Sequence, residues 1–143
     1  MKDMTLTMIA GKLEKTDIWK IYFDIETGSF VEFSEEYDEN AEEESEEAVL
    51  KRVFEVEDNW QRYIPLPSAY DLDEHAMMRR FALEQEEKES LEAALRGSGA
   101  LRHFRQKTKE LGLYETWLKH RWQEFLAAAE EWCLENGISY RKE

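Results

Sequence analysis

Apolar and polar positions follow two different periods along the first part of the chain. Leu6, Ile9 and Leu13 recur at the spacing of an amphipathic helix, which predicts a short helix there. Residues 19–25 are rich in aromatic and β-branched side chains, and residues 29–33 alternate between apolar and polar. Because Gly28 can supply the positive φ of a tight turn between these segments, the pattern predicts a β-hairpin.

Two further segments precede a mainly helical part. A helix is predicted to begin near residue 46, with an apolar stripe formed by Val49, Leu50, Val53 and Phe54. Residues 60–67 have an extended pattern, because each of the two prolines pushes the residue before it out of the helical region. This segment can add an edge strand to the hairpin, a position where proline is tolerated.

After residue 67 the pattern is helical, with breaks marked by glycine. It predicts helices over 71–84, 86–96, 99–110 and 113–136. The last of them, ended by Gly137, has an apolar face made of Tyr114, Trp117, Leu118, Phe125, Ala129 and Trp132. The predicted fold is therefore α+β and mainly helical: a small antiparallel hairpin of two strands, or three with the edge strand, packed with five to six helices in one domain of residues 1–143.

Composition supports a single folded domain with an uneven charge. The chain has 143 residues, of which 42% are hydrophobic and 13% aromatic, enough to build a core. Its net charge of −14 arises in residues 1–74, where 21 acids oppose 7 bases, whereas residues 75–143 hold 12 of each. In contrast, residues 96–121 hold seven bases and two acids, a local charge of +5. The overall charge disfavours nonspecific binding of nucleic acid.

The acidity is densest in residues 35–47, where nine of thirteen side chains are Glu or Asp. So much like charge in so few residues predicts an acidic flexible loop within the domain. Two interpretations are open. The loop is either a solubilising connector or a phosphate mimic presented to a basic partner.

Cysteine content and hydropathy indicate a compartment. The chain has one cysteine, lacks the pattern of a secretory signal at its start, and has no apolar run of the roughly 18 residues that span a bilayer. We therefore expect a cytoplasmic protein that does not associate with membranes.

Several strings are shared with a known group. They include residues 22–28, the acidic segment, residues 62–64, residues 95–105 and residues 132–138. In these strings the chain resembles a bacterial group catalogued as uncharacterised protein family 0158, over nearly its whole length. Leu101 and Ser98 stand where that group usually has an aromatic residue and an arginine. The resemblance implies a fold layout and a bacterial setting but no particular reaction.

A glycine-containing turn is the strongest candidate binding site. Glycines before a helix expose backbone N–H groups, and the basic side chains nearby attract a phosphate or carboxylate. The candidate ligand-binding residues are Arg96, Gly97, Ser98, Gly99, Arg102 and Arg105, together with Arg121. The competing interpretation is structural: Gly97 caps one helix and Ser98 or Gly99 starts the next. That helix would bury Leu101, Phe104, Thr108 and Leu111, leaving Arg102, Arg105 and Lys109 as a basic strip.

Arg121 lies on the apolar face of the last predicted helix. An obligate cation there must extend to solvent, stack on an aromatic ring or pair with an acid. The alternative is that it contacts an anion together with the 96–105 segment.

Other chemistry has weaker support. The segment from Asp71 to His75 has the pattern of a capping box, with Asp71 as N-cap and Glu74 three residues later. The three histidines are scattered, and Cys133 lies between apolar residues, as a core cysteine does. We therefore expect no metal and no cofactor, and support for an enzyme is weak.

The sequence as a whole favours an interaction or regulatory module whose basic helical face engages a protein partner. The alternative is binding of a phosphate-bearing ligand or nucleic acid at the turn and basic helix from Gly97 to Arg105.

Overall fold

The computed structural model of the chain describes residues 4–16, 19–34 and 46–142. Within them lie six helices and an additional helical turn, α3, around a three-stranded sheet. In chain order the elements are α1 (Leu6–Leu13), β1 (Trp19–Asp24), β2 (Ser29–Ser34), α2 (Glu46–Asp58), β3 (Tyr63–Pro65), α3 (Ala69–Leu72), α4 (Glu74–Leu83), α5 (Lys88–Ala94), α6 (Ala100–Glu110) and α7 (Tyr114–Asn136). The predicted mainly helical α+β class is confirmed. Residues 35–45 of the acidic segment lie outside the described residues.

The sheet is antiparallel throughout, in the order β2-β1-β3. Gly28 closes the hairpin with a φ of 71°, as predicted, and donates its N–H to the carbonyl oxygen of Asp24 at 2.8 Å. β3 pairs with the free side of β1, which places Pro65 on an edge strand, opposite Tyr22. The predicted third strand is thus present, and it is only three residues long.

One face of the sheet covers the main core. Ile21 and Phe23 of β1 are buried there, two residues apart, as the alternation of side chains along a strand requires. The ring of Phe23 meets Trp132 of α7 edge-on, with the centroids 5.8 Å apart. Because the indole N–H of Trp132 donates to the carbonyl oxygen of Pro65 at 3.0 Å, one side chain ties the last helix to β3.

Part of α2 packs against the opposite face of the sheet, and here the predicted stripe is wrong for two of its residues, Leu50 and Phe54, while the side chain of Val49 lies outside the described residues. Val56 is buried against Tyr63 in a small second cluster, which Val53 joins. Leu50 and Phe54, expected to be buried, are 47% and 58% exposed. The helix turns Val53 and Val56 toward the sheet, where they pack against Tyr22, Val31 and Tyr63.

The predicted helix over 71–84 is divided at Asp73. This residue has a φ of 48°, which ends α3, and its carboxylate accepts a hydrogen bond from the N–H of Ala76 in α4. A capping box is present, but its N-cap is Ser68 and Asp71 is its third helical residue. The prediction that Asp71 is an N-cap paired with Glu74 is therefore wrong, because Asp71 completes a box begun by Ser68 and the N-cap of α4 is Asp73. Hydrogen bonds from the N–H and hydroxyl of Ser68 lower the pKa of Asp71.

The later helices begin and end close to the predicted positions. α7 ends at Gly137, which has a φ of 65°, and its apolar face buries Trp117, Phe125, Ala129 and Trp132. Tyr114 is half-buried, whereas Leu118 is 42% exposed and does not belong to the core. No helix in the described ranges is long and apolar enough to cross a membrane.

The two ends of the described chain lie side by side. After α7 the chain is extended, and the N–H of Arg141 donates to the carbonyl oxygen of Met4 at 2.8 Å. The N–H of Leu6 donates to the carbonyl oxygen of Arg141 at 3.0 Å. These bonds form a parallel bridge between Thr5 and Arg141, beside the packing of α1 on α7.

Candidate functional site: the basic face of α6

The turn between α5 and α6 holds the four candidate residues from Arg96 to Gly99, and all four are exposed. Gly97 and Gly99 have φ values of 80° and 75°, a conformation that costs other residues free energy. Gly99 is the N-cap of α6, as expected. Gly97 is not the C-cap of α5, because that helix ends earlier, with Leu95 as its cap.

The inner side of α6 is fixed in the core. Phe104 and Thr108 are fully buried, and the Phe104 ring meets those of Phe81 and Trp117 at 6.2 and 5.2 Å between centroids. The prediction for Leu101 is wrong, since it is 40% exposed and lies beside the basic residues. In the first turns of α6, Phe104 is therefore the residue that anchors the helix in the core.

The outer side of α6 forms the predicted basic strip. Arg102, Arg105 and Lys109 are exposed and recur at intervals of three and four residues, which places them in one row along the helix. The ammonium group of Lys109 lies over the ring of Tyr114, 4.8 Å from its centroid. Within the described ranges neither Arg102 nor Arg105 forms an ion pair, so their charge is directed at solvent.

One flank of this row is neutralised. Lys107 donates to the carboxylate of Glu110 at 3.0 Å, and this hydrogen bond lowers the pKa of Glu110. We call Arg102, Arg105 and Lys109 the basic face. It is a narrow line of exposed positive charge along α6.

Arg121 belongs to a separate cluster. Its Nε donates to Glu74 of α4 at 2.7 Å, its Nη1 contacts Glu14 after α1 at 3.2 Å, and its guanidinium lies 4.4 Å from the Phe125 ring centroid. Both structural possibilities, the ion pair and the aromatic contact, occur together. The structure therefore does not join Arg121 to the basic face, and its assigned role in ligand binding stays a prediction.

The reactive side chains are dispersed. Cys133 is fully buried, and burial raises the pKa of its thiol to about 11, which disfavours the nucleophilic thiolate. His75 contacts the carbonyl oxygen of Leu95, while His120 stacks on Trp117 in another part of the core. In the part of the chain that the structure describes, no three His, Cys, Asp or Glu side chains are grouped as metal ligands would be.

Sequence patterns did not reveal an apolar cavity of about 460 Å³ near the end of the sheet. Its walls come from Met4, Phe23, Ile64 and the segment after α7. Because these residues are far apart in the sequence, no local spacing could bring them together. The sequence signals were weak: Ile25 is the last residue of the predicted first strand segment, and Ile138 lies just beyond the last predicted helix.

Comparison with protein-family models, curated proteins and solved structures gives no match to this chain.

Proposed function

We propose that the protein is an interaction module that binds an acidic surface of a partner protein through the basic face of α6. The observation that carries this proposal is the exposure of Arg102 and Arg105 in one row, without an ion pair among the described residues. Elsewhere the described chain pairs many of its cations with acids, as Arg62, Arg80 and Arg121 show. Two arginines left in solvent on a protein of net charge −14 are available to an external acid.

The rigidity of α6 supports the same role. Phe104 and Thr108 hold the helix from its inner side, so the arginines project from a fixed backbone. A preordered surface loses less conformational freedom on binding than a flexible one. Arginine is also suited to carboxylate partners, because its planar group donates two parallel hydrogen bonds to a carboxylate.

A charge-reversal experiment tests this proposal. The tagged protein, the double variant Arg102→Glu/Arg105→Glu and the control Lys51→Glu/Lys142→Glu are used to capture proteins from nuclease-treated cytoplasm. Both variants carry the same net charge, but the control residues lie on α2 and after α7. We expect a protein retained by the wild type and the control, and lost from the α6 variant, with binding that weakens as salt rises.

Retention of the same protein by the α6 variant would rule out this face. Loss of all retained material after nuclease treatment would instead favour the phosphate or nucleic-acid alternative at the turn from Gly97 to Arg105. Circular dichroism of both variants shows whether the helical fold persists.

Membership of the bacterial group that the chain resembles, and a cytoplasmic location, are also part of the proposal. Their support is the set of shared strings, such as residues 95–105, and the single buried cysteine. Cell fractionation with an antibody to the protein tests the location.

A further inference from the structure

The apolar cavity of about 460 Å³ lies where the sheet extends beyond the end of α7. Phe23 and Ile64 are directly opposite each other on β1 and β3 and line the cavity on the sheet side. Ile25, just after β1, lies at its opening and is 45% exposed. Ile138 lines it on the side of the segment that follows α7.

The cavity is a consequence of how α7 ends. Gly137 adopts a left-handed conformation, and the N–H of Ile138 bonds back to the carbonyl oxygen of Cys133 at 2.9 Å. The chain then leaves the helix axis to pair with Met4 and Leu6 through Arg141. The helical layer therefore stops short of the sheet end, and backbone hydrogen bonds hold the walls of the opening in place.

The lining defines a type of ligand. Five apolar side chains contribute to the walls: Met4, Phe23, Ile25, Ile64 and Ile138. Among the lining residues that the structure describes, Arg141 alone carries a full charge. A guanidinium has five N–H donors, so it can bind a carboxylate and keep its contacts within the protein. The volume lies within the range of about 300–1,000 Å³ that is usual for small-molecule sites.

We infer that this cavity binds an amphipathic carboxylate, with the apolar chain against Phe23 and Ile64 and the carboxylate at Arg141. The site lies on elements other than α6 and is independent of the proposed partner surface. The inference therefore stands or falls separately from the proposed function.

Sodium decanoate, below its micellar concentration, is the probe. Calorimetry and amide NMR spectra of the full chain measure its binding, and 1-decanol serves as an uncharged probe with the same tail. We expect saturable binding of one decanoate, with amide shifts near residues 23–25 and 136–141. Arg141→Gln should weaken decanoate binding roughly tenfold and leave decanol binding nearly unchanged, while Arg141→Lys restores part of the loss.

Two substitutions of matched exposure test the location. Ile25→Glu places a carboxylate at the opening of the cavity and should abolish binding of both probes. Leu50→Glu, at a residue on α2 that is 47% exposed, should leave both unaffected. Circular dichroism and the amide signal of Leu6, which bonds to Arg141, report whether the fold and the pairing of the chain ends persist.

The inference is overturned if decanoate shows no saturable binding to the wild type, or if Ile25→Glu binds it as tightly as Leu50→Glu does. Equal weakening of decanoate and decanol by Arg141→Gln would overturn the assignment of an anionic ligand.

Discussion

The carboxylate of Asp24 and the guanidinium of Arg62 face each other in two parallel hydrogen bonds of 2.9 and 2.8 Å. Asp24 ends β1, and Arg62 lies in the turn before β3. The two residues are 38 apart in sequence, and their contact ties β1 to β3. Asp24 is buried, and its Oδ1 also accepts the N–H of Glu26. The pair therefore fixes both the hairpin turn and the entry to the edge strand.

We expect Asp24→Asn to lower the free energy of unfolding by about 2 kcal/mol. This loss of stability lies between that for breaking an exposed ion pair and that for breaking a fully buried one, because Asp24 is buried but Arg62 is partly exposed. Urea denaturation at pH 7 measures the change. The control is Glu26→Gln, which removes a more exposed partner of Arg62 and should change stability by less than about 1 kcal/mol.

The same pair implies a pH dependence. Hydrogen bonds from Arg62, and then from the N–H of Glu26, hold the pKa of Asp24 below its ordinary value. A carboxyl group with a lowered folded pKa stabilises the fold above the unfolded pKa of about 4, and this contribution is lost as the pH falls below it. The stability difference between wild type and Asp24→Asn should therefore narrow between about pH 5 and pH 3. A constant difference over that range would contradict the assignment.

The cluster around Arg121 links α1, α4 and α7. Arg121→Ala removes contacts with Glu74, Glu14 and Phe125, and we expect it to cost about 2 kcal/mol of stability. Arg80 is the comparison, because it too forms an ion pair, with Glu124. Its side chain is 53% exposed, whereas that of Arg121 is 23% exposed. Arg80→Ala should cost less than about 1 kcal/mol. Equal losses in thermal denaturation would contradict a structural role particular to Arg121.

Two glycines should respond to alanine in opposite directions. No atom of the surrounding structure lies within 4 Å of the added Cβ at either position, so only the local backbone conformation decides the outcome. Gly11 lies within α1, where alanine should stabilise by about 0.5–1 kcal/mol. Gly97 has a φ of 80°, and alanine there should destabilise by about 1 kcal/mol. Thermal denaturation measures the melting temperature of each variant against the wild type. If both melting temperatures shift in the same direction, the positive φ assigned to Gly97 is contradicted.

Cys133 should be chemically inert in the folded protein. Its thiol is buried, and its raised pKa leaves little thiolate at pH 8. We expect labelling by a disulfide reagent to be at least roughly a hundredfold slower in native protein than in guanidinium. Rapid native labelling would show that α7 opens locally. The denatured sample is the control for full reactivity.

Local patterns predicted the elements better than they predicted contacts. The bounds of α1 and α7 follow from apolar spacing and from Gly137, which are properties of neighbouring residues. The division at Asp73 was missed because a left-handed aspartate leaves no mark that distinguishes it from a helical one. Its carboxylate caps α4, and Ser68 provides the box that the pattern assigned to Asp71.

The buried side of a helix was harder to predict where two rows of apolar residues lie next to each other. In α2, Val53 and Val56 lie beside Leu50 and Phe54 on the helix surface, and only the sheet beneath decides which pair is buried. The basic strip on α6 was predictable, since Phe104 and Thr108 define the opposite side. The cavity could not be predicted, because its walls combine the end of the sheet, Met4 and residues 136–141, which are far apart in the sequence.

The pairing of Thr5 with Arg141 also constrains synthesis of the protein. Translation makes residue 5 well before residue 141, so α1 emerges before its partners in α7 and the segment after it. Until then Leu6, Ile9 and Leu13 lack the cover that α7 provides, and other nascent chains or a chaperone can contact them. α1 can thus reach its final position only after α7 has been made.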